Sequence, residues 1–343
     1  MSILYLGVDI AKGNLDAAVC LLGESAGLFI GQFDNNSKGF RELARKVNRI
    51  RKKRKAEAIH LVVEPTGGYE LALVAYAHEK GWLVSLPNPK QVRDWANGIG
   101  MRAKTDKQDA LMLACFGAQR QPEPQEPMPA VVQELESLLS RREDLKKLLQ
   151  AENNRLGNLQ QRPNTPAAVL SSVQRVITTL EEEQAEIDAA IKDLIDQDPD
   201  IKSKVRKLRT IPGVGPKNVL PLLVLLMRWN LMTHGTGTAK ELTAYVGLDP
   251  RPFHSGRTIY KRASISRMGN RTMRQYLYLG ALGGVRGNNP LRVFYERLVG
   301  RGKAKKLALV AGARKILVWS WAVFQQDASF DPTRICKVPI EIA

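Results

Sequence analysis

Four carboxylates in the first third of the chain have the types and spacing to do chemistry together. Asp9 stands at the end of one short apolar run and Glu64 at the end of another. Asp106 and Asp109 stand three apart at the start of a helical stretch, which puts them on one helical face. Asp106 follows Lys104-Thr105 and so falls in a first turn, where the helix dipole favours its charge. Strand ends carry ligands in open α/β sheets. Four acids at one sheet edge repel unless a cation neutralises them, and hard oxygen donors select Mg²⁺ or Mn²⁺. Two such ions would stabilise the attacking and leaving oxygens of a phosphodiester. The competing reading is two ordinary strand-end acids and a helix cap.

The elements that must position these groups follow from periodicity. Strands are expected over 3–10, 15–22, 59–63 and 82–86, and helices over 36–53, 69–80 and 107–119. Asn36-Ser37 is a candidate cap. Pro65-Thr66-Gly67-Gly68 is a turn, Pro87-Asn88-Pro89 a stop, and Asp94-Trp95-Ala96-Asn97-Gly98 a loop. The pattern is β-β-α-β-α-β-α, an α/β domain over residues 1–125. Residues 126–200 read as a helical coiled-coil arm. Leu138, Arg142, Leu145, Leu149, Glu152, Leu156 and Leu159 form one heptad-like seam, and Val173 to Leu194 a second. The break at Arg162-Pro163-Asn164-Thr165-Pro166 makes a hairpin of roughly 40 Å per arm at about 1.5 Å per residue. Residues 201–330 read as mainly α with loops, and 331–343 as a tail, with poor order expected after Asp327. The fold class is therefore α/β plus α.

Charge narrows the partners. The chain of 343 residues carries 52 Lys/Arg against 34 Asp/Glu, net +18. After residue 200 there are 26 basic residues and only 6 acidic ones, which is what a nucleic-acid-binding surface needs. An apolar content of 44% excludes wholesale disorder. Arg314 and Lys315 interrupt the longest apolar stretch, and Asp9 and Lys12 the first, so neither a membrane span nor a signal peptide is expected. Cys20, Cys115 and Cys336 are too scattered for a disulfide frame or a zinc site, which fits a reducing cytosol. The run from Arg49 to Lys55 holds six basic residues in seven and reads as a solvated helix end or a phosphate-binding patch. The five tryptophans read as core, with Trp95 as the candidate exception.

Leu6-Gly7-Val8-Asp9-Ile10-Ala11-Lys12, Val63-Glu64-Pro65-Thr66-Gly67-Gly68-Tyr69, Asn88-Pro89 and Ala103-Lys104-Thr105-Asp106-Lys107-Gln108-Asp109-Ala110 occur in this order. Together they resemble the DEDD-type transposases of bacterial insertion sequences, the insertion-sequence 110 family. The resemblance runs from about residue 3 to about 326. It implies a RuvC/RNase H-like fold for the first domain, with Asp9, Glu64, Asp106 and Asp109 as catalytic residues binding Mg²⁺ or Mn²⁺. The later motifs agree. Leu208 to Lys217 resembles a helix-hairpin-helix turn whose glycines and Lys217 would meet a phosphate. Tyr245 to Arg251, Ser255-Gly256 and Ser264 to Arg271 resemble the family's second transposase domain.

The family uses a serine of that domain as the DNA nucleophile, and Ser255 matches by motif order. Ser264 and Ser266 are rivals, and all three could make only local backbone bonds. A serine hydroxyl needs activation near pH 7. The carboxylates of the first domain are the expected source, which makes the implied site composite. Arg257, Lys261, Arg262, Arg267, Arg271 and Arg274 would grip the nucleic-acid backbone. The resemblance implies a recombinase that cleaves and rejoins DNA through a covalent phosphoserine, guided by an element-encoded noncoding RNA and acting as a dimer or tetramer in the bacterial cytosol. In short, it implies an RNA-guided serine recombinase. Two other readings stand beside it. One is a metal-dependent RuvC-like junction nuclease that hydrolyses DNA without a covalent intermediate. The other is an actin-like ATPase or sugar-kinase fold, which lacks its second glycine-rich loop and adenosine motif here.

Overall fold

The computed structural model describes residues 2–24, 26–101, 105–255, 259–266 and 268–335; for 251–263 and 334–335 it describes the backbone. The chain divides into two compact units, Met1–Pro127 and Met128–Ala343.

The first unit runs β1 (Ile3–Ile10), β2 (Asn14–Leu21), β3 (Leu28–Asp34), α1 (Ser37–Lys53), β4 (Ala58–Val63), α2 (Leu71–Glu79), β5 (Leu83–Ser85), α3 (Pro89–Gly98) and α4 (Asp106–Arg120). Its sheet has the order β3-β2-β1-β4-β5. Tight connections make β1, β2 and β3 antiparallel, whereas crossovers through α1 and α2 make β1, β4 and β5 parallel. Strand alternation sorts β1 between two cores. Leu4, Leu6, Val8 and Ile10 face the cluster that includes Phe40 and Leu43 of α1 and Leu73 of α2. Tyr5 faces the cluster of Val92, Ala96, Ala110 and Leu113 from α3 and α4.

Two elements of this unit depart from the sequence expectation. β3 was not expected; it is an edge strand with a glycine, Gly31, at φ +127°, which blunts its alternation. Residues 94–98 belong to α3 rather than to a loop. Pro87-Asn88-Pro89 stops a strand and also starts a helix: the Asn88 side chain accepts from Lys90 N at 2.9 Å, and Pro89 occupies the first turn. The Asn36 cap of α1 is as expected, its side chain accepting from Lys38 N and Gly39 N.

His60 of β4 is 2% exposed and stacks on Tyr5 at 5.2 Å. Its Nε2 lies 2.7 Å from Ser85 Oγ, and Ser85 Oγ donates to Glu123 O at 2.8 Å. The hydroxyl proton is therefore committed, and neutral His60 donates from Nε2. Burial lowers its pKa to about 4. The unfolded chain takes up this proton below about pH 6.5 and the folded chain only near 4, so stability is full above 6.5 and falls as pH drops towards 4. Between pH 7.5 and 4.5, wild type is expected to lose about 3 kcal/mol more than His60→Gln in urea unfolding. Equal losses would show that His60 is not the group.

The second unit holds α5 (Ala130–Gln160), α6 (Ala167–Gln197), α7 (Pro199–Leu208), α8 (Val219–Met232), α9 (Ala239–Val246), β6 (Pro250–Ser255), β7 (Ile259–Ile265), α10 (Arg271–Gly284), α11 (Pro290–Gly300), α12 (Lys305–Gln326) and α13 (Pro332–Ile335). The helices α5 and α6 form an antiparallel hairpin. Arg142 pairs with Asp188 across it at 2.7 Å, and Leu145, Val173 and Ile177 are buried in the seam. Val132, Leu135 and Ile191 at its base share one core with α8, α10 and α12. α12 is long and apolar enough to cross a membrane by length and composition, but most of it is buried in that core.

A two-stranded antiparallel ribbon, β6–β7, stands where only helices and loops were expected. Of the segment after Asp327, Phe330 is better anchored than expected, and residues 336–343 lie outside the described residues. Phe330 N donates to Thr210 Oγ1 at 2.8 Å, and its ring meets Trp319 at 4.8 Å.

Candidate active site

The sheet register brings the first two carboxylates side by side. Val8 pairs with Val63 in the parallel ladder, so Asp9 and Glu64 leave adjacent strands at the same level. The other two come from α4, which is seated on β1 at Gly7. A Cβ on Gly7 would overlap the Ala110 carbonyl and Ala114 amide and lie 2.8 Å from Ala114 Cα. The Thr105 side chain caps α4 by accepting from Gln108 N, and Asp106 and Asp109 occupy the first turn.

The four groups share one electrostatic field. Burial, and after it the charges of Asp109, Asp106, Glu64 and Asp16, together raise the Asp9 carboxyl to about 6. Glu64, Asp106 and Asp109 thus lie within electrostatic reach of Asp9. A fifth, Asp16, was missed. It is the cross-strand partner of Asp9 and accepts from Gln32 Nε2 at 3.0 Å. Pairing strand 3–10 with strand 15–22 through a tight turn would have revealed it.

Three further residues shape the site. Arg93 Nη2 donates to Asp109 Oδ1 at 3.0 Å. Glu70, 6% exposed, takes three donors on Oε2: Thr66 N, Thr66 Oγ1 and Gly68 N. Burial opposes the ionised form of Glu70, but these bonds and its own backbone N–H outweigh it and lower the pKa. Asn35 Nδ2 donates to Ala11 O at 3.0 Å and Tyr69 O at 3.2 Å. It thereby ties the chain beyond Asp9 to the chain beyond Glu64.

Among the described residues, no three or more His, Cys, Asp or Glu side chains are gathered closely enough to hold a metal ion. The donor set is nevertheless chemically suited to a hard divalent cation, since it consists of carboxylate oxygens whose charges, after burial, raise the Asp9 pKa.

In the second unit, Ser255 closes β6 and pairs through its backbone with Ile259. Ser264, near the end of β7, is exposed. Ser266 is tied to Asp249: its N donates to Asp249 O at 3.0 Å and its hydroxyl to Asp249 Oδ1. Lys217 and Arg271 are exposed. Arg274 Nη1 donates to Val246 O and Gly269 O inside the fold. Arg257 and Arg267 lie outside the described residues, and for Lys261 and Arg262 only the backbone is described.

The glycine turn before Lys217 also differs from expectation. Gly213, at φ +91°, packs against Gly280 of α10, and Gly215 N donates to Asn218 Oδ1 at 2.7 Å. These groups close a helix packing contact rather than present N–H groups outward. In the basic run, Arg54 pairs with Glu24 and Arg51 donates to Glu57 O, so part of it holds the fold. Trp82, Trp229, Trp319 and Trp321 are buried. Trp95 meets Phe116 edge-on at 5.4 Å, so it too packs on the core.

A DEDD-type IS110 transposase model matches residues 6–162, the span of all four carboxylates. A model of the transposase IS116/IS110/IS902 family matches residues 205–296, the span of Ser255. Pilin gene-inverting proteins of Moraxella bovis and Moraxella lacunata are each 33% identical over 96% of this chain and 98% of their own length. The chain belongs to the IS110 family of transposases. An uncharacterized 43.6 kDa protein of insertion element IS110 from Streptomyces coelicolor is 30% identical over 49% of the chain and 39% of its own length. Both matched models are transposase models, which corrects the label of serine recombinase. As an IS110-family transposase the protein is a DNA recombination enzyme and binds DNA as its substrate.

Proposed function

We propose that this transposase cuts and rejoins the DNA strands of a mobile element, with Asp9, Glu64, Asp106 and Asp109 as metal ligands and Ser255 as nucleophile. The observation that carries the reading is that four carboxylates from three separate chain segments act on one another, with the charges of Glu64, Asp106 and Asp109 all raising the Asp9 pKa. Three antiparallel strands followed by two parallel ones support a RuvC/RNase H-like description of residues 1–125. Residues 126–200 serve as the coiled-coil arm and 201–330 as the transposase domain that carries the serine.

A divalent ion on these oxygens, Mg²⁺ or Mn²⁺, supplies Lewis-acid stabilisation of charge on the phosphoryl oxygens. The protein's own part is the exchange of esters. The Ser255 oxygen attacks phosphorus and gives up its proton to a base. The bond from phosphorus to the deoxyribose oxygen breaks, and that oxygen takes up a proton. Attack by a DNA hydroxyl on the phosphoserine reverses the exchange, so the ester count is conserved and no nucleotide cofactor is needed. Exposed Lys217 and Arg271, with Lys261 and Arg262, hold the nucleic-acid backbone. A noncoding guide RNA selects the target by base pairing, and two or four copies act together in the bacterial cytosol. The names of the two Moraxella relatives extend the reading to rejoining ends in inverted orientation.

The test is an adduct assay. The protein is expressed with its native flanking DNA, and denatured extracts are probed for DNA bound to protein. Wild type is expected to give an adduct that Ser255→Ala and Asp106→Ala both lose. Cleavage without an adduct, unaffected by Ser255→Ala, would replace this reading with the hydrolytic junction nuclease.

A further inference from the structure

Arg93 sits on a helix fixed to the helix that carries half of the carboxylate centre. Its neighbours on α3, Val92 and Ala96, are fully buried in the cluster that contains Ala110 and Leu113 of α4. Trp95 adds the edge-on contact to Phe116. From this footing Arg93 reaches Asp109 at 3.0 Å, with the two side chains 34% and 15% exposed. A guanidinium is planar, always charged and directional, so it fixes the carboxylate it holds.

We propose that Arg93 is a positioning residue of the carboxylate centre. By holding Asp109 in an ion pair it aims that carboxylate, and it is the resident counter-charge against which a divalent ion must bind. The inference rests on the reading of the four carboxylates as metal ligands. Its two consequences run in opposite directions. Two positive charges compete for one carboxylate, so removing the guanidinium tightens metal binding. Removing it also frees Asp109 to turn, so the loaded enzyme works more slowly.

The experiment measures both. Mn²⁺ is titrated by calorimetry into the full-length protein without DNA, and cleavage of the native flanking DNA is timed at saturating Mn²⁺. Arg93→Gln is expected to bind Mn²⁺ roughly tenfold more tightly and to cleave roughly tenfold more slowly. Loss of packing would weaken both and could not produce this split. Arg93→Lys keeps the charge and loses the planar fork, so its Mn²⁺ affinity stays near wild type while cleavage slows. Lys90→Gln, which breaks the Lys90–Asp94 pair on the same helix, changes neither quantity. If wild type binds no Mn²⁺, the carboxylate reading falls and this inference with it. If wild type binds Mn²⁺ and Arg93→Gln matches it in affinity and rate, the inference alone falls. Should Arg93→Gln not fold, unaltered cleavage by Arg93→Lys overturns it.

Discussion

Asp9→Asn is expected to abolish strand cleavage while making the metal-free protein more stable. Asn has nearly the same shape as Asp, so β1 and its register with Asp16 and Val63 need not change. What disappears is one negative charge among five that repel. Burial first, and that repulsion after it, raise the Asp9 pKa, which points to a gain of about 1–2 kcal/mol at neutral pH in the absence of metal. Cleavage is expected to fall on the order of 10³-fold, because one of the proposed anionic ligands of the divalent ion is lost. The two measurements are thermal unfolding in chelator and cleavage of flanking DNA in Mg²⁺. A variant that cleaves normally would remove Asp9 from the catalytic centre.

Gly7→Ala is expected to be among the most damaging single-methyl additions in the first unit. The added carbon would meet backbone atoms of α4 at Ala110 and Ala114, and backbone cannot swing aside as a side chain can. The helix must lift from β1, at a cost of about 3 kcal/mol or more. That lift would also carry Asp106 and Asp109 away from Asp9, so activity should fall further than stability alone explains. Gly13→Ala is the matched control, since nothing lies within 4 Å of its added carbon. If Gly7→Ala melts like Gly13→Ala and cleaves like wild type, α4 is not seated as described.

Much of this site was legible because the decisive signals are local. An apolar run closed by an acid marks both Asp9 and Glu64, and the Thr105 cap fixes the start of α4. The heptad-like seams gave the hairpin for the same reason. What escaped is set by partners distant in sequence or by residues with two meanings. Arg93 has no local pattern that points to Asp109. Pro89 reads as a terminator until Asn88 is recognised as a cap. Gly213 looks like a phosphate turn, yet its left-handed backbone and missing side chain serve its approach to Gly280. Arg274 looks like a backbone clamp for nucleic acid, yet one of its nitrogens, Nη1, is held by Val246 O and Gly269 O, partners that no local pattern announces.

The rooted hairpin works as a lever. Its first arm is gripped over its root half, where Glu136 takes Arg228 at 2.7 Å and Glu143 takes the Tyr276 hydroxyl at 2.7 Å. With 31 residues per arm, each spans about 46 Å at 1.5 Å per residue, so a tilt of about 5° at the root moves the tip by about 4 Å. That is the breadth of a base pair step or more. Where the far end of this arm points is therefore decided by a few contacts at its foot, and small substitutions there would be magnified at the tip.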